Sequence, residues 1–366
     1  MRRMAILLAL CLLLTGCSFG SGHYSFISPH TGSYGDDARQ EVTVDSYLEL
    51  RSAVCNIVDR CTPTATILLR GDLQETDIRQ AIDYVRNQYP MGAYNLRELS
   101  WVLGSSGQSR ALQLTLEYNY PLSQILRIQT FRRTNDVLST IYAALENHQD
   151  SLTFQLANYT DTDLTQLVQD YARSHCEAVM EVPQVSVTMY PETGSHRLIH
   201  LRFTYQTDRS ELNKMKTQVQ RVFRSAVLYL NPSSHPMTRY HQLYTFLTQR
   251  WDYDIATSLT PSYSLLLHGV GDSRAFAMVF SAMCRSVNLP CQVITGTRDG
   301  QVHSWNLVYD GTRYYHLDLL TESFAPCSDG EMTGYVWDYS AYPKAEDVPV
   351  EIPQETLPET TPTDPS

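Results

Sequence analysis

The chain has 366 residues, enough to bury a sizeable core and to divide into two or three domains. Its formal net charge is −11, and no long basic stripe interrupts that balance, which argues against nucleic acid as a partner. No Cys-x-x-Cys or His-Glu-x-x-His pattern occurs, so neither a metal nor another cofactor is expected.

The first residues read MRRMAILLALCLLLTGCSFGSG. Arg2 and Arg3 precede an apolar run from Met4 to Leu14, which falls short of the roughly 20 residues of a membrane span. It suits the hydrophobic region of an export signal. The run ends in Leu14-Thr15-Gly16-Cys17, which resembles a bacterial lipobox, whose cysteine is lipidated and becomes the new N-terminus. That resemblance implies a signal over 1–16 and an acylated Cys17. The mature protein would then sit at the extracytoplasmic face of a bacterial cell membrane, each buried methylene of lipid adding about 0.8 kcal/mol. A plain export signal with a chance cysteine is the alternative. Residues 17–42, rich in Gly, Ser and charge, read as a tether between lipid and folded body.

Two α+β units follow, over 43–125 and 130–225. Thr76-Asp77-Ile78 opens a helical pattern, and Thr162-Asp163-Leu164 opens a second. A short apolar run precedes each, at 64–71 and 151–158, and two strand-like runs follow each. Period-two alternation is clear in Leu112, Leu114, Leu116 and Tyr118, and again in Ile199, Leu201, Phe203 and Tyr205. The same order of elements in both stretches reads as an internal repeat.

Cys55, Cys61, Cys176, Cys284, Cys291 and Cys327 remain after the signal and Cys17. An export signal permits disulfides. Cys291 with Cys327 across a sheet is one pairing, and Cys55 with Cys61 another of marginal geometry. Free thiols throughout are the alternative, since spacing does not decide connectivity.

The Asn-Pro-Ser-Ser-His-Pro stretch at 231–236 breaks the chain, and a domain is expected over 237–342. A helix from Met237 to about Gln249 carries Tyr240, Leu243, Tyr244 and Leu247 at helical spacing. Gly269 and Gly271 then allow a tight turn, with Asp272 or Ser273 as cap of an apolar helix over 274–287. A nucleophile at such a start feels the positive end of the helix dipole. Strands follow over 291–298, 302–310 and 313–320, with a hairpin at Gly311-Thr312 that sets His303 beside Asp318. A carboxylate there orients an imidazole and stabilises its charged form.

These residues resemble the transglutaminase-like superfamily, a branch of the papain-like fold. The family's Gly-rich turn and Cys-x-Gly-Tyr-Ala helix start is matched by Ser273-Arg274-Ala275-Phe276-Ala277. Its His-x-Trp-Asn is matched by His303-Ser304-Trp305-Asn306, and its Tyr-rich strand ending in Asp by Tyr314-Tyr315-His316-Leu317-Asp318. Upstream, Trp251-Asp252-Tyr253-Asp254 resembles its Tyr-Asp helix exit. The resemblance implies a catalytic triad of Ser273, His303 and Asp318, with serine in the place of the nucleophilic cysteine and Ala275 in the place of a glycine. Trp305, in the position of a residue that shields the catalytic histidine, Asn306 and His316 are expected to line the cleft.

A serine hydroxyl lacks the accessible thiolate of a cysteine, whose pKa lies near 8.5. It must surrender its proton during attack. Two functions follow. One is a lipoprotein whose domain has lost thiol chemistry and binds peptide or cell-wall material. The other is a Ser-His-Asp hydrolase acting on amide or ester bonds. Residues 343–366, with six prolines, six acids and one lysine, read as a disordered tail.

Overall fold

The computed structural model describes residues 42–107, 109–250 and 253–346. The export signal, Cys17, all but the last residue of the tether, Trp251, Asp252 and the tail from 347 onward lie outside the described residues.

The architecture is mixed α+β. The first sheet uses β1 (Val42–Val44), β2 (Thr64–Leu69), β3 (Leu96–Ser106) and β4 (Ser109–Tyr118), in the order β1-β2-β4-β3. β1 runs parallel to β2, and the other pairs are antiparallel. Helices α1 (Tyr47–Asp59), α2 (Glu75–Asn87) and short α3 (Pro90–Asn95) connect these strands, and a single turn, α4 (Leu122–Ile125), follows. The second sheet uses β5 (Gln129–Phe131), β6 (Ser151–Leu156), β7 (Gln184–Tyr190) and β8 (Arg197–Thr204), in the order β5-β6-β8-β7. Its first pair is again parallel and its others antiparallel. Helices α5 (Thr134–Glu146) and α6 (Leu164–Ser174) connect it. Alternation explains both cores: Leu112, Leu114 and Leu116 point inward from β4, and Ile199, Leu201 and Phe203 from β8.

The 21-residue α7 (Arg209–Tyr229) leads to α8 (Pro236–Thr248), α9 (Pro261–His268) and α10 (Ser273–Ser286). The break at 231–236 is a turn within one core. Leu212, Val219, Phe223 and Ala226 of α7 pack in the same cluster as Tyr240, Leu243, Phe276 and Phe280. Cys176 and Met180, from the segment after α6, join them. A helix with an apolar stripe must bury it, and α7 buries its stripe against the helices that follow.

The third sheet is antiparallel, ordered β11-β10-β9-β12, from β9 (Cys291–Arg298), β10 (Gln301–Tyr309), β11 (Tyr314–Leu317) and β12 (Tyr335–Val336). α10 covers one face. Ile294, Trp305 and Leu307 on the other face are covered by Met332, Trp337 and Ala345. Ala345 is buried and its backbone exchanges hydrogen bonds with Asp329 (2.8 and 3.1 Å), so residues 343–346, expected in the tail, are part of the folded body.

All six described cysteines are free thiols. Cys291 and Cys327 do not meet across a sheet. Cys327 pairs with His316 on the outer side of β11, so β11 and β10 separate it from β9. Three strand spacings make about 14 Å, whereas bridged Cα atoms lie within about 7 Å.

Candidate active site

The turn before α10 is built by two glycines with different tasks. Gly269 ends α9 in the left-handed region (φ 69°), a conformation costly to side-chain-bearing residues. Gly271 is needed for space: a Cβ there would come within 2.9 Å of Leu265 Cδ1 and 3.2 Å of Ala275 Cβ. The turn is fastened by Asp254, whose N–H donates to the Gly269 carbonyl (2.9 Å) and whose carbonyl accepts from the Gly271 N–H (3.0 Å). Asp272 caps α10. One carboxylate oxygen accepts from the Ala275 N–H (2.9 Å), the other from the Thr257 hydroxyl (3.1 Å). Ser273 is therefore the first helical residue, and its hydroxyl is free of capping duty. The helix behind it is buried on nearly every side, through Ala275, Phe276, Val279, Phe280 and Met283.

β10 and β11 bring the other half. Their ladder runs from Tyr309 opposite Tyr314 to Asn306 opposite Leu317, and His303 and Asp318 lie just beyond its end. His303 Nε2 is 2.7 Å from Asp318 Oδ2. The same oxygen accepts from the Tyr335 hydroxyl (2.6 Å) and from an Arg298 guanidinium nitrogen (3.2 Å), and Oδ1 accepts from the Leu320 N–H (2.9 Å). Burial pushes the Asp318 carboxyl up, but the hydrogen bonds from His303, Tyr335 and Leu320 outweigh it and hold its pKa below the ordinary carboxylate value. An ionised carboxylate only accepts, so His303 donates to Asp318 through Nε2–H and leaves Nδ1 on the other side of the ring.

Ser273 Oγ accepts a hydrogen bond from the backbone N–H of Ser304 (3.1 Å), which sets it against the chain immediately after His303. Among the hydrogen bonds of the described residues, none joins Ser273 to His303. The structure thus brings His303 and Asp318 into direct contact, with Ser273 beside them.

Ser273, Arg274 and Ser304 line an open cleft of about 1010 Å³. Its floor is β9, through Val293 and Thr295, and its far wall is α6 of the second sheet's unit, through Asp170 and Arg173.

The three residues expected to line the cleft do not. Trp305, Asn306 and His316 are all buried. Asn306 Nδ2 donates to the Ala277 carbonyl (2.9 Å) and locks β10 to α10. His316 Nδ1 accepts from the Trp305 indole N–H (2.9 Å) while Nε2 faces Asp329 (2.8 Å), so both ring nitrogens are occupied. Burial lowers the His316 pKa and keeps the ring neutral. Trp305 packs edge-on to Tyr335 and Trp337 and lies 6.3 Å from His303 between ring centres. Alternation in β10 and β11 sets these residues on two faces of the sheet, but both faces are covered.

Sequence reasoning missed Arg298, Tyr335 and the α6 wall. Arg298 is the last residue of its strand, directly before Asp299-Gly300, and a charge at that strand end is the one available signal. Tyr335 and α6 carry no motif, because their contacts close over 17 residues in one case and about a hundred in the other.

Residues 226–319 match the family model of the transglutaminase-like superfamily. Among solved structures, EGTA-treated LapG of Legionella pneumophila is similar at 16% identity, over 36% of this chain and 72% of that one, with a TM-score of 0.25. A TGase crystal structure is similar at 10% identity, over 56% of this chain and 62% of that one, with a TM-score of 0.27. No curated protein matches the chain.

Proposed function

We propose, for a chain whose residues 226–319 form a transglutaminase-like domain, that this domain binds a peptide or cell-envelope ligand in the cleft beside Ser273 and has lost thiol chemistry. One observation carries the reading. A serine nucleophile must pass its proton to a base, and the nucleophile-to-base hydrogen bond is what arranges this. Ser273 instead accepts from the Ser304 N–H and makes no hydrogen bond to His303. The motif match gives Ser273 the nucleophile's position, and a thiolate there would need no such transfer in the attacking step. The test compares wild type with Ser273→Cys on a panel of peptide amides. The expected result is no turnover by wild type and measurable turnover by Ser273→Cys. Turnover by wild type that Ser273→Ala abolishes would overturn the proposal.

A second reading, a Ser273–His303–Asp318 hydrolase of amides or esters, draws support from the 2.7 Å His303–Asp318 contact with its depressed carboxylate. It requires a fluorophosphonate probe to label Ser273 in the native protein and not in His303→Ala.

The anchor completes the proposal: residues 1–16 direct export, and acylated Cys17 holds the domain at the extracytoplasmic face of a bacterial membrane. Among the described residues no helix is long and apolar enough to cross a membrane. Cys17→Ser should move the protein from the membrane fraction to the soluble one.

A further inference from the structure

The cleft floor holds a strand edge with nothing paired to it. β12 meets β9 only at Thr297 and Arg298, and the chain around Val336 and Trp337 passes beside Gly296. From Cys291 to Thr295, β9 has no second neighbour among the described residues. The register shows which backbone groups face outward. Ser304 lies opposite Thr295, and Ser304 turns its N–H away from β9 to Ser273 Oγ. In an antiparallel ladder both members of such a pair point their N–H and C=O groups away from each other. Thr295 therefore presents both groups to the open edge. Val293, two residues back and opposite Asn306, does the same. The far end is closed, because the Cys291 carbonyl accepts from the Ser281 hydroxyl (3.1 Å).

Exposed strand edges are normally blunted with charge, proline or bulges, because they attract other strands. Residues 291–295 read Cys-Gln-Val-Ile-Thr and carry none of these. At the end of this edge Val336 of β12 is 62% exposed opposite Thr297, and on the inner flank of Thr297 Val302 of β10 is 82% exposed, in one row across three strands. Facing this edge across the open cleft of about 1010 Å³ stand Asp170 and Arg173 of α6. A strand added at this edge therefore has α6 across the cleft from it, with room for one extended chain between them.

We propose that the β9 edge takes an extended peptide as an added strand. The ligand's backbone pairs with Val293 and Thr295, and an apolar side chain of it lies against Val336, the exposed β12 residue next along the same edge. This rests on the peptide-binding reading above and specifies how that ligand is held. Main-chain pairing supplies affinity and alternate side-chain positions supply selectivity, as in other strand additions. The ligand then carries no proline at its two pairing positions.

The test uses the full chain and short fluorescein-labelled peptides with valine at alternate positions, with binding read by anisotropy. A single N-methyl group is moved along the peptide backbone. The expected result is a loss of about tenfold at every second amide and little loss between, since each methyl removes one peptide N–H that a β9 carbonyl would accept. Thr295→Pro removes the outward N–H while the β9–β10 ladder keeps its bonds. It should weaken binding about tenfold with an unchanged melting temperature. Equal effects at all amides, or unchanged affinity in a folded Thr295→Pro, would overturn the inference and leave peptide binding standing. Binding by no peptide would overturn both. A wild-type dimer that Thr295→Pro dissociates, read by sedimentation, would make a second copy the occupant and overturn it too. Should Thr295→Pro fail to fold, the methyl scan on wild type decides.

Discussion

Asp318 is the residue on which the site turns. It is 4% exposed and receives His303, Tyr335, Arg298 and the Leu320 N–H. A buried carboxylate so held orients the imidazole and neutralises much of the charge that Arg298 brings. Asp318→Asn leaves Arg298 and Tyr335 facing a neutral amide, and the expected cost is about 3 kcal/mol at pH 7 in urea denaturation. The pH dependence has a defined sign. An acid with a depressed folded pKa stabilises above its unfolded value near 3.9, and that contribution is lost as pH falls through the lower folded pKa. The gap between wild type and Asp318→Asn should therefore be constant above about pH 5 and close below about pH 4. His316 behaves oppositely in charge but alike in sign of slope. Burial lowers its pKa, with Asp329 pulling the other way, so the fold keeps it neutral while the unfolded chain protonates near pH 6.5. Wild type should lose stability as pH falls below that value, and His316→Gln should lose less over the same range.

At the scale of elements, the site depends on how β10 is clamped between two layers. On one side Asn306 bonds the backbone of α10. On the other, Trp305 sits against Gly296, Tyr335 and Trp337. Gly296 has no room for a side chain: a Cβ would lie 2.2 Å from the Val336 carbonyl and 3.0 Å from the Trp305 ring. Gly296→Ala must displace β12, and with it the Tyr335 hydroxyl that bonds Asp318. The expected loss is about 1–3 kcal/mol, together with a rise in the Asp318 pKa readable by carbon-detected NMR. Behind Ser273, Phe280 is fully buried, and Phe280→Ala should cost about 3–5 kcal/mol in the same denaturation assay.

At the scale of the molecule, the family-matched stretch is not a free-standing core. α7 and the segment around Cys176 and Met180 share one apolar cluster with α8, α9 and α10, and the Ser262 hydroxyl donates to the Cys176 carbonyl (2.6 Å). Arg285 of α10 also pairs with Glu177 (2.7 Å). A fragment beginning at residue 230 would expose the face that α7 covers, a large apolar patch that favours aggregation. Such a fragment should lack dispersed amide resonances, whereas the chain from 42 to 346 should show them. The same coupling gives the second sheet's unit a part in the cleft, since α6 reaches it only because both pack on one core.

The residues that build the turn, the helix and the hairpin are legible in the sequence. Two glycines, a capping acid and an apolar run specify a turn and a buried helix by local geometry alone. A hairpin at Gly311-Thr312 sets His303 near Asp318 by counting along two strands. Local rules suffice there because the partners lie within a few turns or pairs of each other. Burial of Trp305, Asn306 and His316 was not legible. Alternation assigns a residue to a face, but what covers that face comes from Met332, Trp337 and Ala345, beyond the motif. Nor were the Tyr335 and Arg298 bonds to Asp318, the α6 wall, or the open edge of β9. Local chemistry in the chain specifies the elements and the order of Ser273, His303 and Asp318 along them. Which groups touch follows from the packing of layers, because contact between distant segments leaves no periodic trace in either segment.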